Sequence, residues 1–128
     1  MDSILTSVKK LVGGITEEYT HFDEEIISFV NSTFFTLRQL GVGPTNGFVI
    51  SDDSTTWTDY IPDDPVFRAA TKDYVSAKVR LRFDPPTSSA HMDALRQIIA
   101  EYEWRLNVEV ETPTTEPSKR GGKIQNGK

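Results

Sequence analysis

Two boundaries marked by proline, Asp64-Pro65 and Asp84-Pro85-Pro86, constrain this chain more than any other feature of its sequence. Aspartate is a good N-cap, and proline suits the first helical position because the N–H it lacks would have had no partner there. At the second boundary proline cannot continue a helix, and it disfavours helical geometry in the residue before it. Between the two, Phe67, Ala70, Tyr74, Ala77 and Leu81 recur at 3-and-4 spacing, and Val66, Val75 and Val79 widen the face. A helix must run from one boundary to the other.

The same period occurs elsewhere. Ile4, Leu5, Val8, Leu11 and Val12 share one side of a segment from Asp2 to Val12 that Gly13-Gly14 ends. This helix either covers the chain's own core or docks on a partner. A second helix begins near Thr20 or Asp23, where three acidic residues suit the positive end of the helix dipole, and stops at Gly41. Its stripe is Ile26, Ile27, Phe29, Val30, Phe34, Leu37 and Leu40. Phe29 and Phe35 stand partly off it, so the helix has more apolar surface than one face can hide. After the proline turn, Ser88 or Ser89 caps a last helix carrying Met92, Leu95, Ile99, Tyr102 and Leu106, flanked by Ile98 and Trp104. It should pair antiparallel with the helix before it.

Between Gly43 and Trp57 the pattern changes. Phe48-Val49-Ile50, a polar turn and Thr55-Thr56-Trp57 predict a short β-hairpin or loop excursion, with Trp57 and Tyr60 anchoring it to the bundle. The fold class is therefore mainly α: a compact bundle of about four helices with that excursion. Residues 1–110 make the helical domain, and 111–128 an extended basic tail. The tail's one apolar residue, Ile124, sits among Lys119, Arg120, Lys123 and Lys128. Such a segment cannot bury enough surface to fold alone, which leaves either a partner-bound arm or a solvated tail.

The functional columns for catalysis are empty. There is no cysteine, which removes thiolate metal sites, disulfides and cysteine nucleophiles. The two histidines, His21 and His91, form no HExxH pattern and read as surface residues. Asp23-Glu24-Glu25 is explained by the dipole, and Asp52-Asp53 lacks the rest of a calcium loop. Neither Gly13-Gly14 nor Gly41-Val42-Gly43-Pro44 fits a phosphate loop. No enzyme activity and no cofactor are expected. No apolar run approaches the ~20 residues that span a bilayer, so no membrane partner is expected, and the N-terminus does not read as a signal peptide. A net charge of −5 argues against general nucleic-acid binding. Lys72, Lys78, Arg80 and Arg82, with Arg96 and Arg105 on the last helix, are interleaved with Asp93, Glu101 and Glu103. This is either a solvated mixed face or an interface in which identical subunits match opposite charges.

Four blocks in order carry a resemblance: MDSILTSVKKLVG, FDEEIISFVNSTFFTLRQLGVGP, WTDYI and VRLRFDPPTSSAHMDALRQIIAEYEWRLNV. Together, over residues 1–108, the chain resembles the small head–tail connector proteins of tailed bacteriophages, also called adaptor or head-completion proteins. The resemblance implies a homo-oligomeric ring, twelvefold, under the portal protein at the capsid vertex, assembled in the host bacterial cytoplasm and retained in the virion. Such a ring would extend the channel for double-stranded DNA without reading its sequence, and would seat a downstream stopper or tail protein. Phe29, Phe35, Trp57, Tyr60, Arg80, Arg82 and Trp104 are the expected subunit interface. Lys119, Arg120, Lys123, Ile124 and Lys128 are the expected contacts to the portal or a neighbouring subunit. The alternative is a small packaging-accessory or regulatory module that binds DNA through the basic residues of the third helix and the tail.

Overall fold

The computed structural model describes residues 2–111. The order is α1 (Ile4–Gly13), α2 (Asp23–Gln39), α3 (Trp57–Tyr60), α4 (Pro65–Phe83) and α5 (Ser89–Glu111). The described residues are mainly helical and contain no sheet. Helix α4 is the hub against which α1, α2 and α5 all pack. Asp2 pairs with Lys72 near the middle of α4 while Gly13 approaches Asp84 at its C-terminal end, so α1 runs parallel to α4. Phe22 stacks edge-on against Phe83 and Arg82 covers Phe29, so α2 runs antiparallel to it. Helix α5 is antiparallel as well, as the tight proline turn predicts.

The helix ends follow local chemistry. Ser3 accepts the Thr6 N–H at 3.2 Å and begins α1, and Gly14, at φ +64°, closes it with N–H bonds back to the last turn. Asp64 accepts the Phe67 N–H at 3.0 Å ahead of Pro65. Ser88 accepts the His91 N–H at 3.1 Å and begins α5. Three acidic side chains, without a side-chain cap, fill the first turn of α2.

Of the hairpin and the loop excursion expected here, the hairpin does not form; residues 43–56 are an excursion without strands. Its one ladder contact is an isolated antiparallel bridge between Ser3 and Thr56. The reason lies in where the backbone groups go. Asn31 on α2 accepts the Ile50 N–H at 2.8 Å and donates to the Ile50 carbonyl at 3.0 Å, taking both groups that a return strand would need. Thr56 then enters a reciprocal capping box with Asp59, which turns the chain into α3 instead of a strand.

Trp57, Phe34, Phe48 and Tyr60 form the aromatic centre of the core. Trp57 donates its indole N–H to Ser7 at 2.7 Å, so α3 is fixed onto α1. Gly43 adopts φ +87° beside the Tyr60 ring, where an added Cβ would come within 2.7 Å of a ring carbon. Two apolar residues depart from expectation. Leu11 is 53% exposed, and Val66, in the first turn of α4, is 80% exposed. Burial on α4 instead centres on Thr71, Tyr74, Val75 and Val79, because this helix is covered from three directions.

Candidate assembly surfaces

The expected interface residues separate into two groups. Trp57 and Tyr60 are almost fully buried within the subunit, which corrects their placement as interface residues: core packing consumes the surface that they would offer. Phe35 and Trp104 are the large aromatics left outside, at 58% and 65% exposure. Phe29 is half-buried beneath Arg82, whose guanidinium carbon lies 4.3 Å from the ring centroid. Arg80 and Arg82 are exposed in the last turn of α4, and neither has a carboxylate partner among the described residues. Lys119, Arg120, Lys123, Ile124 and Lys128 lie outside the described residues.

Phe35 stands on a ridge of α2 with Asn31 and Arg38, at i−4 and i+3. Asn31 holds Ile50, and Arg38 donates to the Thr45 carbonyl at 2.8 Å, so the excursion is tied along that ridge. The tie leaves Phe35 and Val49 exposed. Trp104 and Val108 are one turn apart on the outward side of α5, opposite the buried Ile99 and Leu106. Ile98 is exposed and lines an open hollow together with Asp73, Glu101, Tyr102 and Arg105.

The α4–α5 seam contains polar pairs that sequence reading missed. Tyr74 on α4 donates to Glu103 on α5 at 2.7 Å, and Tyr102 on α5 donates to Asp73 on α4, also at 2.7 Å. Burial, and then the bond to Glu103, pushes the Tyr74 phenol well above its usual range. For Tyr102 the bond to Asp73 is the larger cause and burial the smaller. Lys78 also reaches Glu103, at 3.6 Å. The signal was present: in an antiparallel pair the tyrosine of each helix falls level with an acid of the other. Lys9 was missed too. It is 2% exposed, pairs with Asp23 at 2.9 Å and donates to the Glu17 carbonyl at 3.3 Å, so the turn between α1 and α2 closes over it.

Among the described residues no group of three or more His, Cys, Asp or Glu could hold a metal ion, and no helix is long and apolar enough to cross a membrane. His21 and His91 are both exposed, at the starts of different helices. What the fold presents is a small helical domain that leaves Phe35, Val49, Ile98 and Trp104 exposed. The family model described as phage connector protein matches residues 4–113, and the chain belongs to that family. No curated protein and no solved structure matches it. Membership makes this a structural component of a bacteriophage virion that joins other phage proteins.

Proposed function

We propose that the chain assembles into a twelve-membered ring beneath the portal, extends the DNA channel there, and offers its free side to a downstream stopper or tail protein. The family match over nearly the whole helical domain carries this reading. Two further features support it. Phe35 and Trp104 are exposed on different helices and leave each subunit apolar groups to offer to the portal and the downstream protein, apart from its contacts with neighbouring copies. Residues 1–111 hold ten basic and eighteen acidic side chains, and like charge keeps passing DNA from adhering to a conduit. Residues 112–128 hold four basic and one acidic side chain, and this segment is the arm that engages the portal or the adjoining subunit.

The test is a phage carrying a deletion of the gene. Negative-stain images should show heads that lose DNA and lack tails, with wild-type protein restoring them. Normal tailed particles would overturn the reading. Ring order is read from the mass of the complex on isolated portal-bearing heads.

A further inference from the structure

We propose that neighbouring copies meet head to tail, with the acidic cap of one subunit seated on an arginine-lined groove at the opposite end of the next. The inference rests on the ring reading and adds to it the two faces that touch.

The groove arises because α2 and α5 both lie antiparallel to α4 but barely pack on each other. They come together at their C-terminal ends, where Asn107 donates to the Leu40 carbonyl and Val110 meets Gly41. Toward the other end, α4 supplies the floor through Lys78 and Arg82, one turn apart, with the Arg82 guanidinium over the Phe29 ring. Arg96 is seven residues before Glu103 and eleven before Asn107, so it shares their side of α5 and faces the same cleft. Lys78 is paired with Glu103, whereas Arg82 and Arg96 have no carboxylate partner among the described residues. Glu25, one turn before Phe29 on α2, marks where the positive stretch ends.

The cap is residues 51–64, which contain five aspartates and no lysine or arginine. Asp52, Asp59 and Asp64 are committed to local turns and helix starts. Asp53 and Asp63 are exposed and have no partner among the described residues, and the exposed Val66 stands beside Asp63. The cap therefore offers an apolar side chain and two carboxylates without partners among the described residues, and the groove two guanidiniums without carboxylate partners, one of them lying over the Phe29 ring. Sixteen residues of α4 separate Val66 from Arg82, about 24 Å at the helical rise. A subunit cannot close its own cap onto its own groove, but a neighbour can. A contact between two different faces repeats from copy to copy, and a ring closes it.

The test compares full-length wild type with Arg82→Glu/Arg96→Glu, Asp53→Lys/Asp63→Lys and the four-fold combination. Folding is checked by circular dichroism, and assembly by mass photometry alone and on portal-bearing heads. All four positions are exposed, so the fold should survive. Each double reversal should weaken assembly by about tenfold or more, and the four-fold chain should recover most of it, because like charges facing each other in an interface are costly. Double variants that assemble like wild type, or a four-fold chain that stays dissociated, would overturn the inference while leaving the ring intact. A wild type that never assembles on heads removes the ring reading, and this inference with it. A chain ending at Pro113 tests the other occupant. If it loses assembly as the cap reversal does, while the groove reversal has no effect, the cap receives the basic tail instead and the proposal fails.

Discussion

Helices α2 and α5 both lie along α4, but they are attached to it by different chemistry. Helix α2 contributes Ile26, Val30, Phe34 and Leu37 to the core, all at most 2% exposed. Each such side chain is worth roughly 1.5–3 kcal/mol when fully buried. Helix α5 is the longer of the two yet buries only Ile99 and Leu106 fully. Two tyrosine–carboxylate bonds and the Lys78–Glu103 pair hold it instead. Bonds to charged groups contribute about 1.5–3 kcal/mol net, and they depend on pH and geometry in a way that apolar burial does not. The lesson is a division of labour: α1, α2, α3 and α4 make the stable body, and α5 has most of its surface available for other molecules.

The sharpest way to break this comparison is inside the body. Trp57→Ala removes the central aromatic and its bond to Ser7, and should cost about 3–5 kcal/mol in urea unfolding. A cost near that of a surface change would mean that the body is not the stable half. Next comes Lys9→Met, which strands Asp23. Breaking a fully buried pair costs roughly 3–5 kcal/mol, and because the Asp23 side chain is 24% exposed we expect about 2–3. Lys9→Met/Asp23→Leu should recover much of that loss.

The polar seam predicts a pH dependence. Tyr74 and Tyr102 both have raised phenol pKa values, whereas tyrosines in the unfolded chain ionise at about 10. Above that pH the unfolded state gives up protons that the folded state keeps, so the stabilisation is complete below about pH 10 and is lost as pH rises further. Urea midpoints at pH 9 and 11 measure it. Tyr74→Phe should flatten the fall, and an equal fall in that variant would place the sensitivity elsewhere. The smallest effect on stability is expected on the outer side of α5: Trp104→Ser should stay within about 0.5 kcal/mol of wild type. Its effect should appear as weaker assembly, and a large loss of stability would show that Trp104 belongs to the fold.

Much of this architecture could be read from the residues because helix ends are local events. Ser3, Gly14, Asp64-Pro65, Ser88 and the acidic start of α2 all act within a turn of themselves. Of the two readings of residues 43–57, the hairpin failed and the loop excursion held, and the choice between them depends on a distant residue. Nothing near Phe48 announces that Asn31 will take both backbone groups of Ile50. Leu11 and Val66 follow the apolar period but point outward, since periodicity gives a face and not its width. For the contact surfaces, Phe35 and Trp104 stood out as residues off their stripes, while Trp57 and Tyr60 did not differ from them in type. Only tertiary packing separates the aromatic that fills the core from the one left outside.

The N-terminus is pinned late. Ile4 donates to the Thr55 carbonyl, Trp57 donates to the Asp2 carbonyl, and Lys72 pairs with Asp2. Helix α1 meets α2 early, through the Lys9–Asp23 pair, but α4, against which both pack most extensively, follows only after residue 64. A nascent chain must carry α1 and α2 with their greasy sides uncovered during that interval, which ties successful maturation to the speed at which residues 55–83 emerge.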